Sequence, residues 1–191
     1  MGRFKEDDLM AQVSLTQGLA ALSSSDFSYA SKYETEITFQ GVTNKDRNLT
    51  IRCDNITMPG RNLRTVMNGN VYGPPHEMVQ GTTFGEIAAT FYLSSDMREL
   101  KTFHEWQDKI VNPDTYDLNY YKETVGVVKI FSLDKNENRT FGIELVEAFP
   151  KTIDPIQVGH ASPNTINKVG VSFQYRYWKH ARVAVASVVA T

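Results

Sequence analysis

The chain has 191 residues, enough for one domain, with 20 basic and 22 acidic residues and a formal net charge of −2. That balance argues against a protein that grips a nucleic-acid backbone, because such binding needs Lys and Arg to neutralise phosphates; it leaves open a surface that nucleic acid passes without sticking. The single cysteine, Cys53, excludes an intramolecular disulfide, and no run approaches the roughly 20 apolar residues of a membrane helix, so no membrane insertion is expected.

Residues 1–30 differ from the rest. Met1 to Met10 mixes charges of both signs and has no hydrophobic segment, so it is not expected to be a secretory signal, and folding is expected in a reducing cytoplasm. Gln17 to Ser25 is small and polar. Leu9, Val13 and Leu15 give a poor helical period. The stretch reads as an arm that orders against a partner, or as a disordered tail.

From Tyr33 the pattern is β. Tyr33, Thr35, Ile37 and Phe39 alternate with Glu34, Glu36, Thr38 and Gln40. Gly41 to Asp46 reads as a turn and Arg47 to Cys53 as a second strand with Leu49, Ile51 and Cys53 inward. A hairpin of these two is expected. Met58-Pro59-Gly60 breaks it. Residues 60–82 form a long connection, and Asn68-Gly69 within it predicts a small exposed hairpin centred near Asn68.

Phe84 to Leu93 reads as a strand with Ile87, Ala89, Phe91 and Leu93 on one face. A helix follows. Asp96 is its expected N-cap and Glu99 completes the spacing of a capping box. Leu100, Phe103, Trp106 and Ile110 recur every three or four residues, so the helix should pack on a sheet through Phe103 and Trp106 until Pro113 ends it.

Three strands close the chain: Tyr121 to Leu133, Thr140 to Phe149 and Lys168 to Trp178, with a turn over Asp134 to Asn138. Phe141, Ile143 and Leu145 share one face, as do Val169, Val171, Phe173, Tyr175 and Tyr177. The fold class is mainly β: an antiparallel barrel or sandwich with one flanking α-helix. A domain over 31–179 is expected between an arm (1–30) and a tail (180–191).

Little chemistry is written on these elements. His76, His104, His160 and His180 lack a second ligand at metal spacing, and His104-Glu105 falls short of a zinc-protease motif because position 108 is Asp108. No phosphate loop or nucleophile elbow appears. No catalytic residue, metal site or cofactor is expected, and Cys53 reads as a small buried hydrophobe. The sequons at Asn48, Asn55 and Asn138 read as turn and strand residues. Tyr120-Tyr121 and Tyr175-Arg176-Tyr177-Trp178 gather the residue types of interface hot spots, though an aromatic core is the plainer reading. The apolar, β-prone run Val183 to Ala190 would add to an open sheet edge, on a neighbour or on its own core.

The ordered elements resemble the tail tube family of contractile-tailed phages over residues 31–179. The residues that carry the likeness are Cys53-Asp54-Asn55-Ile56-Thr57-Met58-Pro59-Gly60, Gly81-Thr82-Thr83-Phe84, Phe103-His104-Glu105-Trp106, Phe149-Pro150 with Ile153, and Phe173-Gln174-Tyr175-Arg176-Tyr177-Trp178. The resemblance implies a β-barrel subunit of six-membered rings whose sheets join around a bore, stacked into a tube inside a contractile sheath. It implies a virion tail component assembled in the host cytoplasm. Implied partners are further copies of the chain, the sheath, the tape-measure protein, baseplate and tail terminator proteins, and double-stranded DNA in transit without specific binding.

Head-to-tail subunits of this kind close into rings through heterologous interfaces. From loop length and turn chemistry, Arg61, Asn62, Arg64, Asn68 and Tyr72 are the candidate inter-ring contacts. A baseplate-proximal initiator or a secretion-tube subunit would share the architecture. A monomeric ligand-binding barrel using Tyr175, Tyr177 and Trp178 as a stacking platform is the alternative of another class.

Overall fold

The computed structural model describes residues 27–39, 47–69, 73–159 and 166–183. Among these the strands are β1 (Tyr33–Phe39), β2 (Cys53–Ile56), β3 (Asn62–Asn68), β4 (His76–Thr83), β5 (Ile87–Tyr92), β6 (Gly126–Leu133), β7 (Arg139–Ile153), β8 (Lys168–Gln174) and β9 (Tyr177–His180). The helices are α1 (Arg47–Ile51), α2 (Arg98–Ile110) and α3 (Tyr121–Thr124). The fold is mainly β with antiparallel pairing, as the alternating patterns predict.

One sheet runs β1-β6-β7-β8-β5-β2, and β9 pairs with β7; β3 and β4 form a separate two-stranded sheet. Strand β7 serves two neighbourhoods. Its first part lies between β6 and β9, and from Phe149 it pairs with β8. Between them Glu147 takes a left-handed φ of 56°, and the β6–β7 register shifts between Gly126 and Val128. A bulge of this kind turns a strand, and it re-aims β7 from one half of the barrel to the other. Pro150 follows at a second register shift, where a missing N–H donor is tolerated.

The core is aromatic. Phe103 and Trp106 of α2 are fully buried. Trp106 stacks on Phe39 of β1 at 4.1 Å with the rings within 3° of parallel, and Phe103 meets Phe91 of β5 at 5.0 Å. The helical stripe thus packs as expected. The faces of β1, β5 and β8 also follow their patterns, with Ile87, Ala89, Phe91 and Leu93 all buried.

Four expectations are corrected. First, β1 does not form a hairpin with residues 47–53. It pairs with β6 over seven residues, and residues 47–51 are helical. Of the three residues expected to face inward, Leu49 is buried at 4% exposure and Cys53 is half-buried against the core, while Ile51 is 78% exposed. Tertiary context overrides a weak period-two pattern here.

Second, residues 121–124 form a helical turn rather than the start of β6; the turn presents the Thr124 carbonyl to the buried Trp106 indole N–H at 2.8 Å. Third, the helix N-cap is Met97, with no side-chain cap. Glu99 does reach back, but to the Ser94 N–H and hydroxyl, both at 2.9 Å, while Asp96 takes Arg98 at 2.7 Å. Fourth, the last strand is broken between Gln174 and Tyr177. The break leaves Tyr175 buried but turns Tyr177 out to 40% exposure.

Candidate assembly surfaces

The β3–β4 hairpin stands apart from the core. Every residue of β3 except Asn68 and every residue of β4 except Gly81 is exposed. Its register sets Val66 opposite Met78 on one face, and Thr65 opposite Val79 and Met67 opposite Glu77 on the other. Apolar side chains are therefore presented on both faces: Val66 and Met78 are each 49% exposed, Met67 60% and Val79 63%. A two-stranded sheet with no covered face is marginal in water. This one is moored at its base, where the Trp178 indole N–H donates to the Gly60 carbonyl at 3.1 Å and the Arg61 guanidinium lies 4.6 Å from the indole ring centre.

The expected contact residues fall on this element. Arg61 immediately precedes β3, and Asn62, Arg64 and Asn68 lie along it. The Asn62 carbonyl accepts from the Thr83 hydroxyl at 3.5 Å, Arg64 sits exposed at a register shift, and the Asn68 amide donates to the Met78 sulfur at 3.4 Å. Tyr72 lies outside the described residues. The apolar residues beside them were passed over in the sequence. Their signal was there, in the β-prone Thr65-Val66-Met67 and Met78-Val79 flanking the turn.

A second surface is the polar face of strands β1, β6, β7 and β9. Glu36 lies opposite Lys129, Lys129 opposite Glu144, and Glu144 opposite Lys179. The row alternates in sign across four strands, with Lys129 3.8 Å from Glu36 and Lys179 3.1 Å from Glu144. Opposed charges of this kind are the stabilising cross-strand pairs of a sheet. Beside the row, Arg139 grips both oxygens of Glu34 at 2.8 and 2.9 Å and one of Glu36 at 2.6 Å. The hydrogen bonds to Glu34, then those to Glu36, hold its guanidinium still more firmly charged against the cost of burial.

Arg139 also covers the Phe131 ring at 4.1 Å. Gly142 makes that possible, since a Cβ there would come within 2.7 Å of the ring. The sequence showed each of these charges singly; the ladder appears only with the register.

The remaining sequence candidates do not converge. Tyr177 and Trp178 lie on opposite faces of β9 and Tyr175 is buried at 3%, so the three do not form a stacking platform. Cys53 is half-buried, and burial pushes its thiol up to about 11, that of an inert group. No cluster of three or more His, Cys, Asp or Glu able to hold a metal occurs among the described residues, and no helix there is long and apolar enough to cross a membrane.

The described residues thus form an antiparallel β fold with an unburied hairpin and a sheet face of alternating paired charges. The sequence matches the family model described as phage tail tube protein over residues 20–181, and the chain belongs to that family. No curated protein matches it in sequence.

Solved structures share its fold at low identity. A chain of an extracellular contractile injection system, in a sheath–tube complex in the extended state, is 10% identical with a TM-score of 0.63; the match covers 86% of this chain and 97% of that one. A chain of the sheath/tube terminator of such a system is 8% identical with a TM-score of 0.61, over 83% and 99%. A chain of the anti-feeding prophage baseplate is 13% identical with a TM-score of 0.60, over 84% and 99%.

Proposed function

We propose that the protein is a structural, non-catalytic subunit of the inner tail tube of a contractile phage tail. It forms six-membered rings that stack within a sheath and conduct double-stranded DNA at ejection. In this reading it assembles in the host cytoplasm around a tape-measure protein, and it meets the baseplate at one end of the tube and a terminator at the other. The domain over 31–179 builds the ring, flanked by the arm (1–30) and the tail (180–191).

The observation that carries the reading is the β3–β4 hairpin, which exposes apolar side chains on both faces. A surface of that kind is suited to burial by a partner. Membership of the tail tube family makes the next ring the natural partner. Arg61, Asn62, Arg64, Asn68 and Tyr72 are the polar contacts of that junction, and Val66, Met67, Met78 and Val79 its apolar centre.

Negative-stain electron microscopy across protein concentration tests this. Hollow rings or tubes of uniform width are expected. A protein that stays monomeric and also fails to extend purified baseplates would refute it. Tube length and copy number per particle then separate a polymerising subunit from a single-ring initiator.

A further inference from the structure

We propose that the loop between α2 and α3 is the seat for the β3–β4 hairpin of another copy. Tyr116, Leu118 and Tyr120 take the hairpin's apolar side chains, and Asp114 and Asp117 take Arg64. The inference rests on the tube reading and names the surface that receives the hairpin.

Three observations carry it. First, the loop holds apolar groups out in water on a fixed backbone. Tyr116 is 80% exposed, Leu118 76% and Tyr120 82%. The Asn112 N–H donates to the Asp117 carbonyl at 3.0 Å, and the Tyr116 N–H donates to the Asn112 carbonyl at 2.8 Å. The Asn112 side-chain oxygen accepts from the Asp114 N–H at 2.9 Å. Val111 and Leu118 form a bridge, and the Asn119 side-chain amide donates to the Lys109 carbonyl at 2.7 Å. Tyr116 has a left-handed φ of 58°, a conformation that bulky residues keep only where their surroundings enforce it. A loop fixed in this way offers tyrosine contact area with little ordering left to do on binding.

Second, the chain has two such surfaces and they are unlike. Among the described residues, the large exposed apolar side chains gather chiefly on the hairpin and on this loop. A contact of hairpin with hairpin, or of loop with loop, is two-fold and stops at a dimer. A contact between unlike patches can repeat around a ring or along a tube.

Third, the charges match in sign and in order. On the hairpin, Arg64 lies on the base side of Val66 and Met78, and Glu77 lies on the tip side. On the loop, Asp114 and Asp117 precede Leu118 and Tyr120, and Lys122 of α3 follows them. Each surface thus runs from one charge across an apolar centre to the opposite charge, and the loop carries the reverse signs. All five charged side chains are exposed. No ion pair takes up any of them among the described residues. They are free to pair across a junction, where complementary charge selects the partner and sets the register.

Charge reversal tests the contact. R64E, D114K/D117K and their combination are compared with wild type by the subunit left in the supernatant after tubes are pelleted. R64E and D114K/D117K each set like charges together and are expected to raise this threshold about tenfold or more. The combination restores opposite signs and is expected to return to within about threefold of wild type. Unchanged thresholds in both reversed variants, or a combination no better than the worse of them, would overturn the contact, while wild-type tubes would leave the tube reading standing. A wild-type protein that forms no ring and extends no baseplate would sink the tube reading and this contact with it.

Should a reversed variant fail to fold, cysteines on separate chains decide. C53S/M78C protein is mixed with C53S/L118C protein, assembled and oxidised. Disulfide dimers that join the two kinds of chain are expected. Tubes that contain both chains and yield no such dimer would overturn the contact.

Discussion

Replacing Val66 and Met78 together by serine should separate assembly from folding. The two side chains face each other across the hairpin ladder, and each is 49% exposed. Complete burial of such a side chain stabilises by about 1.5–3 kcal/mol. About half of that remains to be gained on stacking, so the pair contributes about 2 kcal/mol per subunit. That is about a 30-fold rise in the concentration at which tubes grow.

Sedimentation measures the threshold directly, as the subunit left in the supernatant after tubes are pelleted. The fold should survive, because both residues lie outside the buried core, and exposed substitutions of this kind cost within about 0.5 kcal/mol. The melting temperature should therefore move by less than about 2 °C. The companion variant M67S/V79S tests the opposite face of the hairpin. If both double variants assembled at the wild-type threshold, the hairpin would not be the junction, and the argument from exposed apolar surface would be wrong.

Three further outcomes are expected. Gly126→Ala should lower the melting temperature by roughly 3–10 °C through about 1–3 kcal/mol of overpacking, because its Cβ would sit 2.6 Å from the Thr38 carbonyl and 2.8 Å from Trp106; an unchanged melt would mean that β6 can shift. Burial alone would raise the Glu99 pKa, but the Ser94 donors and Arg52 outweigh it and leave the carboxyl below its ordinary 4.5. Its contribution to stability is then complete above the unfolded value and lost as pH falls through the lower folded one, so the stability gap between wild type and Glu99→Gln should shrink only below about pH 4.5. A gap that is flat through this acid range, measured by denaturant titration, would contradict the assignment. Trp178→Ala removes the indole bond to Gly60 and the Arg61 stacking, about 1–2 kcal/mol together, and should speed tryptic cleavage at Arg61 and Arg64 about 5–30-fold; equal cleavage would mean that the hairpin is moored elsewhere.

Elements whose burial follows their own period could be read from the sequence. The stripe of α2 and the alternation of β1, β5 and β8 are local statements about one buried face, and the structure repeats them. The partners of those elements could not be read. Adjacency suggested that β1 should pair with residues 47–53, whereas its partner β6 begins at Gly126, and no local signal spans that separation. The same limit hid the assembly surfaces. The opposition of Lys129, Glu144 and Lys179 depends on two register choices in β7, which no single strand's pattern records. The hairpin could be placed from Asn68-Gly69, but its exposure on both faces depends on what the rest of the barrel leaves uncovered.

The two surfaces meet on one strand. Lys179 points to the polar face of β9, and its neighbour Trp178 points the other way and holds the base of the hairpin through Gly60 and Arg61. Any contact that restricts β9 also fixes Trp178, and through it the angle at which the hairpin leaves the barrel. Ordering the hairpin before it meets a partner lowers the entropic cost of that meeting.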